Sequence, residues 1–210
     1  MRWKSFTRST TETSSLSNRA HGRQTATTLN GIRLDHRYRY EWAAERLSGL
    51  RVLDAGCGIG YGSHILGQAG CRVTAVDGCE EAIEKAREHY AHPDVTHFVG
   101  ELGSLVGSYD AVVCFEVLEH IENASEIVGL FSQLADRLLC SVPNEEVVPF
   151  EQTRPLGHLR HYTPGEFRTL LRGWDLEGWQ TAQMEYHQNG KHDPVEKGFG
   201  GRTLIAELQR

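Results

Sequence analysis

The stretch VLDAGCGIGYG, residues 52–62, joins an apolar run to a turn that contains Gly56, Gly58, Gly60 and Gly62. An apolar run that ends in glycines and continues into a helical pattern is typical of the first βα unit of a doubly wound sheet, where ligands bind at the carboxyl ends of the strands. Glycine is needed where the backbone approaches a ligand closely or takes a positive φ. The stretch therefore predicts a ligand-binding loop after the first strand.

Strand-like and helix-like stretches alternate on both sides of this loop. An amphipathic helix is predicted over residues 32–47, and the apolar runs RVLDAG, RVTAVD, VTHFVG, YDAVVCFEV and RLLCSVPN then alternate with patterns of helical period. Two more strands are predicted within residues 175–186 and 201–208, after a helix capped by Thr163. Strands that alternate with helices predict a parallel sheet covered on both faces, so residues 31–210 read as a single α/β domain.

Two segments depart from this pattern. Residues 1–30 are rich in Ser, Thr and Asn, with few large apolar side chains, and predict a disordered polar tail. Residues 143–163 form a long polar segment without a regular period, and we expect a lid-like insertion there because long polar loops in compact domains often carry function. A solvated surface connection is the alternative. If the segment is a lid, its cations would suit a substrate with carboxylate, phosphate or polyhydroxyl character.

Composition limits the partners. The 210 residues carry a net charge of −6, which makes nucleic acid an unlikely partner because non-specific binding to phosphates needs a basic surface. The five cysteines are an odd number without a CxxC pair, so we expect reduced thiols and a cytoplasmic location. No apolar run approaches the roughly 18 residues of a membrane span. The oligomeric state is not predicted.

Asp77 ends the second predicted strand, where a carboxylate can accept hydrogen bonds from both hydroxyls of a ribose. The dinucleotide fingerprint GxGxxG is incomplete, since Tyr61 stands where its third glycine would be. These two features favour a nucleoside ligand without a pyrophosphate.

On these residues the chain resembles the class I S-adenosylmethionine-dependent methyltransferases. The acidic residue and GxGxG of their first motif match Asp54 to Gly60, the ribose-binding acid matches Asp77, and the acid after strand three is best matched by Glu101. The resemblance continues through YDAVVCFEVLEHI, SVPN and HLRHYTPGEF, and it covers roughly residues 31–182.

The resemblance implies a Rossmann-like, doubly wound sheet of seven strands, mostly parallel, with antiparallel last strands. It implies S-adenosyl-L-methionine as cofactor and S-adenosylhomocysteine as product. The cofactor-binding residues that it implies are Asp54, Gly56, Cys57, Gly58, Gly60, Asp77, Glu101 and Phe115.

Glu116, Glu119 and His120 form a polar cluster at the end of the fourth strand, and three interpretations are open. His120 can act as a general base, because its ordinary pKa suits proton abstraction near neutral pH, with Glu119 or Glu116 orienting it. The cluster can instead hold a divalent metal, with His158 or His161 as a further ligand, a pattern that resembles the small-RNA 2′-O-methyltransferases. In the third interpretation the residues are the polar start of a helix.

The sequence therefore predicts an S-adenosylmethionine-dependent methyltransferase that acts on a small molecule, and we expect the methylated atom to be oxygen. We expect Glu116, Glu119, His120 and His161 to form the catalytic group, without a metal. One alternative is metal-assisted 2′-O-methylation of an RNA 3′ end. Another is a non-catalytic protein that binds S-adenosylmethionine or docks a partner.

Overall fold

The computed structural model describes residues 25–155, 157–184, 196–197 and 201–210. Within these ranges the helices are α1 (Leu34–Leu47), α2 (Tyr61–Gln68), α3 (Glu80–His89), α4 (Ala124–Leu134), α5 (Phe150–Thr153) and α6 (Pro164–Leu170). The strands are β1 (Arg51–Ala55), β2 (Arg72–Asp77), β3 (Val95–Val99), β4 (Ala111–Phe115), β5 (Arg137–Pro143), β6 (Asp175–Met184), β7 (Glu196–Lys197) and β8 (Thr203–Gln209).

All the strands join one sheet in the order β3-β2-β1-β4-β5-β8-β6-β7. Strands β1 to β5 pair in parallel, whereas β8 is antiparallel to both β5 and β6. The predicted seven-stranded, mostly parallel sheet with antiparallel last strands is confirmed, and the two-residue strand β7 is an addition at its edge. The chain order reverses between β1 and β4, so the crevice at their carboxyl ends is the expected ligand position in such a sheet.

The central strands are apolar because helices cover both faces of the sheet. Along β4, Val112 and Cys114 face one buried cluster, while Ala111, Val113 and Phe115 face the other. All five are nearly or fully inaccessible to solvent. This explains why the strand reads as a continuous apolar run and not as an alternating one.

The sequence signals at helix ends are present in the structure. Thr163 caps α6, since its Oγ1 accepts a hydrogen bond from the Glu166 backbone N–H, and the Glu166 carboxylate accepts one from the Thr163 backbone N–H. Gly70, at φ +87°, follows the end of α2. Among the described residues, no helix combines the length and the apolar character needed to cross a membrane.

Most of the predicted tail, residues 1–24, lies outside the described residues. Residues 25–30 are described, and they contact the domain: Leu29–Gly31 forms a 3-10 turn, and the Tyr90 hydroxyl donates to the Ala26 carbonyl over 2.8 Å.

The polar segment after β5 is a loop with its two ends held side by side. Glu145 N–H donates to the Tyr162 carbonyl over 2.9 Å, and Tyr162 N–H donates to the Pro143 carbonyl over 3.1 Å. Between these ends lies the short helix α5, which the sequence pattern did not predict. The loop is therefore anchored at the carboxyl edge of the sheet.

Helices α1 and α2 pack through one glycine. A Cβ on Gly62 would lie 2.1 Å from the Tyr40 ring, and that ring cannot move easily because its hydroxyl donates to Asp54 over 3.0 Å. We therefore expect Gly62→Ala to lower the free energy of unfolding by about 1–3 kcal/mol, as overpacking does. Urea denaturation followed by circular dichroism would measure this.

Gly165 is the matched control, because it also stands second in its helix and a Cβ there would meet nothing within 4 Å. Gly165→Ala is expected to raise stability by about 0.5–1 kcal/mol through the lower entropy of the unfolded chain. Equal effects of the two substitutions would contradict the close packing at Gly62.

Candidate active site

The glycine loop between β1 and α2 is clamped to the end of β2. The backbone N–H groups of Gly56 and Cys57 both donate to the Val76 carbonyl, over 2.8 and 3.0 Å, and Gly58 N–H donates to the Asp77 carboxylate over 2.9 Å. The other Asp77 oxygen accepts from Cys79 N–H over 2.9 Å. Asp77 thus helps to hold the loop in its open shape, and it also faces the cavity described below.

Two glycines of the loop are required for different reasons. Gly56 has a φ of +82°, and a Cβ there would lie 2.5 Å from the Val117 side chain. Gly58 has a φ of +55°, but a Cβ there would meet nothing within 4 Å. The first glycine permits close packing, whereas the second leaves open space in which a ligand can approach the backbone.

Asp54 lies behind the loop. It is fully buried and accepts hydrogen bonds from the Ser63 hydroxyl over 2.6 Å and the Tyr40 hydroxyl over 3.0 Å. Burial raises the pKa of Asp54 to about 6, although both hydrogen bonds oppose the shift. Through these hydrogen bonds Asp54 connects the loop to α1 and α2. Asp54 does not line the cavity.

A cavity of about 370 Å³ opens at the carboxyl ends of β1, β2, β4 and β5. Its walls include Gly56, Cys57, Gly58, Asp77, Phe115, Glu116, Glu119, His120, His158 and His161, all of which the sequence had singled out. Asp54, Gly60 and Glu101 were also predicted to bind the cofactor, but they are not among the lining residues.

Burial raises the pKa of the Cys57 thiol well above its ordinary value, so the thiol is protonated.

Glu116 is held in an unusual conformation at the tip of β4. Its φ is +55°, which is uncommon for a residue with a side chain and is found more often at functional sites. Its Oε1 lies 2.8 Å from the guanidinium of Arg39 and accepts from the Ser141 hydroxyl over 2.9 Å. Arg39 is almost completely buried, so this ion pair lies mostly away from water.

Glu119 presents the opposite situation. It is fully buried, and both of its carboxylate oxygens lack a hydrogen-bond partner among the described residues. Burial, reinforced by the neighbouring charge of Glu116, raises the pKa of Glu119 well above its ordinary value. A buried carboxyl group without a partner is costly in a native protein, and it requires either a proton or a cation.

Hydrogen bonds determine the tautomers of three histidines beside Glu119. His161 Nδ1 lies 2.6 Å from the Val148 carbonyl and His120 Nδ1 lies 2.8 Å from the Gly157 carbonyl, and since a carbonyl only accepts, both Nδ1 atoms carry hydrogen. In the neutral rings, His161 Nε2 then accepts from His158 Nδ1 over 3.0 Å.

The lone pairs of His120 and His158 therefore lie on Nε2. Burial, together with the adjacent histidines, lowers the pKa of His158 to about 3, so its ring is neutral at physiological pH. One ligand atom from each of Glu119, His120 and His158 lies within 4.8 Å of the others. The structure thus brings these three predicted residues together, whereas Glu116 is engaged by Arg39 and His161 by Val148 and His158.

Helix α1 supplies one wall of the cavity. His36 and Tyr40 line the cavity together with Tyr61, whose hydroxyl lies 3.1 Å from His36 Nδ1. Sequence reasoning missed Arg39, because it is one of several arginines in a polar helix, and it missed Arg202, which lies far along the chain from every motif. No local signal distinguishes either residue.

Comparison with known proteins agrees with this geometry. The family model described as "Methyltransferase domain" matches residues 32–181. The chain belongs to this methyltransferase family. It is 31% identical over 183 residues to a "Probable S-adenosylmethionine-dependent methyltransferase" of Mycolicibacterium smegmatis, covering 83% of this chain and 70% of that protein.

The methyltransferase is also 37% identical over 181 residues to the ubiquinone biosynthesis O-methyltransferase of Xanthomonas oryzae pv. oryzae, covering 75% of this chain and 74% of that protein. The chain is also similar to the solved structure of magnesium protoporphyrin IX methyltransferase from Synechocystis with bound S-adenosylmethionine. The sequence identity is 28% and the TM-score is 0.58, and the match covers 84% of this chain and 77% of that one. The protein is therefore an S-adenosylmethionine-dependent methyltransferase, and the non-catalytic alternative is set aside.

The buried ion pair yields a stability prediction. Arg39→Met should lower the free energy of unfolding by about 3 kcal/mol, because it leaves the Glu116 carboxylate without its charge partner in a mostly buried position. The double variant Arg39→Met, Glu116→Gln should recover part of this loss, since the uncompensated charge is gone. Denaturant titration of the four proteins in the cycle, including Glu116→Gln alone, would measure the coupling.

Arg37 provides the control, because it pairs with Glu41 on the same helix over 3.1 Å in a contact that is more exposed to solvent than the one between Arg39 and Glu116. Arg37→Met is expected to cost at most about 0.5 kcal/mol. Losses of similar size for Arg37→Met and Arg39→Met would mean that the buried pair has no special weight.

Proposed function

We propose that this methyltransferase transfers the methyl group to a hydroxyl oxygen of a small organic molecule. The observation that carries the proposal is the group of Glu119, His120 and His158 on the wall of the cavity that the glycine loop also lines. A proton acceptor beside a methyl donor is the arrangement that O-methylation needs, because a neutral hydroxyl is a poor nucleophile. The similarity to a ubiquinone biosynthesis O-methyltransferase supports the same class of reaction.

The residues of the loop fit S-adenosylmethionine. Open space above Gly58 allows the backbone to contact the ligand, and Asp77 at the cavity wall can accept hydrogen bonds from ribose hydroxyls. Phe115, packed edge to face against Tyr40 at 5.1 Å, gives the same wall an apolar surface near the tip of β4. When bound, S-adenosylmethionine supplies an activated methyl group on a sulfonium, so the protein need only orient the acceptor and remove its proton.

His120 is suited to that proton transfer. Its Nδ1–H is directed to the Gly157 carbonyl, which leaves Nε2 as the basic nitrogen of the neutral ring. His120 lines the cavity, and its ring packs edge to face against His158 with centroids 4.5 Å apart. In this proposal Nε2 of His120 takes the proton of the acceptor hydroxyl, which makes that oxygen a better nucleophile.

A panel of acceptors tests the proposed function. Purified protein with methyl-labelled S-adenosylmethionine is expected to label phenols, catechols or hydroxy acids, with mass spectrometry locating the methyl on oxygen. His120→Gln should lower kcat by about 10²- to 10⁴-fold through loss of the base, while calorimetry shows unchanged binding of S-adenosylhomocysteine.

His89→Gln serves as the control, since His89 lies at the end of α3 and does not line the cavity. Labelling confined to amines, to thiols or to the 3′-terminal ribose of a short RNA would refute the proposal for small-molecule hydroxyls.

A divalent cation is a second candidate for the same cluster. The buried carboxyl of Glu119, which has no hydrogen-bond partner among the described residues, favours it. One carboxylate and two imidazoles form a donor set that suits Mn²⁺, Zn²⁺ or a related ion, and a cation there would satisfy Glu119. Glu119, His120 and His158 would hold such an ion, which would act as a Lewis acid that makes an acceptor hydroxyl easier to deprotonate. Glu116 could join them only by leaving Arg39.

Metal dependence can be separated from the base mechanism. If a cation is held there, dialysis against EDTA abolishes turnover, added Mn²⁺ or Mg²⁺ restores it, and Glu119→Gln and His158→Gln each weaken Mn²⁺ binding by at least about tenfold in equilibrium dialysis. His92→Gln, outside the cavity, should change neither quantity. If the protein keeps full activity after EDTA treatment while His120→Gln is inactive, the metal is excluded and the base mechanism is the remaining explanation.

A further inference from the structure

The antiparallel strand β8 brings a distant part of the chain to the active site. In a parallel sheet only the carboxyl ends of strands reach the ligand-binding edge, but an antiparallel strand reaches that edge with its first residues. Thr203, the first residue of β8, pairs with Pro143, the last residue of β5. Arg202 and Thr203 consequently line the cavity.

Asn144, at the end of the SVPN stretch, holds this part of the backbone in place. Its backbone N–H donates to the Arg202 carbonyl over 2.9 Å, and its side-chain amide donates to the Gly201 carbonyl over 2.8 Å. Asn144 is fully buried, and its side-chain oxygen accepts from Glu146 N–H over 3.1 Å. The Cα of Arg202 is therefore fixed at the rim, although its long side chain is exposed.

Among the described residues, two arginines line the cavity, and their surroundings differ. The Arg33 guanidinium contacts both carboxylate oxygens of Asp35, over 3.1 and 2.6 Å. The Arg202 guanidinium makes no hydrogen bond or ion pair with any residue that the structure describes. The arginines of the loop after β5 are placed differently from Arg202. Arg154 is ion-paired with Glu151, and Arg160 is not among the lining residues.

We propose that Arg202 binds a carboxylate on the acceptor molecule and so selects acidic phenols over neutral ones. This inference rests on the proposed O-methylation and names the substrate class for it. A guanidinium presents two parallel N–H donors that match the two oxygens of a carboxylate. A phosphate would call for further donors, and Arg202 is the one lining cation without an ionic partner among the described residues.

The position of Arg202 also limits the size of the acceptor. Strand β8 is two strand spacings, roughly 10 Å, from β4, whose tip leads into Glu119 and His120. The cavity lining also includes the apolar residues Pro143, Val148 and Pro155. An aromatic ring fits this arrangement, with its hydroxyl at His120 and its carboxylate at Arg202.

Two compounds of equal shape test the inference: 3,4-dihydroxybenzoate and 3,4-dihydroxybenzamide differ at one substituent, which is charged only in the first. The wild-type protein is expected to methylate the benzoate with a kcat/KM about tenfold or more above that of the benzamide, as expected for a charge-assisted contact. In Arg202→Gln this ratio should fall to about one through loss of benzoate turnover, while turnover of the benzamide persists. Arg202→Lys should retain part of the preference, because it keeps the charge without the planar pair of donors.

Arg160→Gln is the control, because it removes an exposed arginine of the loop after β5 that does not line the cavity, and it should leave the ratio unchanged. An unchanged ratio in Arg202→Gln, or no preference for the benzoate in the wild type, overturns the role of Arg202. Methylation of the benzamide by the wild type in either case shows that the proposed function stands. Turnover of neither compound overturns the inference, and the acceptor panel then reports separately on O-methylation.

Discussion

The ion pair between Arg39 and Glu116 joins the helix before the sheet to the tip of β4. The next residue of that helix, Tyr40, donates to Asp54 at the end of β1. Two consecutive side chains of α1 therefore contact the two strands between which the chain order reverses. Because these strand ends diverge there, α1 can close one side of the crevice, and the cavity has a wall instead of an open edge. Burial of both contacts makes the position of α1 specific, since charged groups removed from water tolerate few alternative partners.

On the other side of the cavity, hydrogen bonds to backbone carbonyls orient the histidines. The loop after β5 is pinned at both ends, and within it the Val148 carbonyl orients His161, which in turn orients His158. The Gly157 carbonyl of the same loop orients His120. The tautomers of all three rings thus depend on one loop, so its conformation determines whether basic nitrogens face the buried carboxyl of Glu119. In the proposed function, this dependence makes the loop responsible for the orientation of the base, His120.

Much of the fold could be predicted from the sequence because its signals are local. Continuous apolar runs predicted the strands of a sheet covered on both faces, and Thr163 predicted the start of a helix that the structure confirms. The resemblance in the glycine loop and at Asp77 predicted a cofactor site at the carboxyl ends of the strands, and the structure has a cavity at that edge. The helix α5 was missed because four helical residues leave no periodic pattern. The short strand β7 was missed because two residues leave none either.

By itself, the sequence determined the class of protein. The motifs that indicate the class are short and local: glycines at one strand end, an acid at the next strand end and the EVLEH stretch. Their chemistry can be inferred without a structure. Only the tertiary structure decided the partners of each polar side chain. It showed that Glu116 is held by Arg39, that Glu119 is buried without a partner among the described residues, and that Arg202 reaches the cavity through an antiparallel strand. These features involve residues that are far apart along the chain. Arg39 and Glu116, for example, are separated by 77 positions. Local patterns record periodicity and turns, but the pairing of distant side chains depends on strand order and on the direction in which each strand runs.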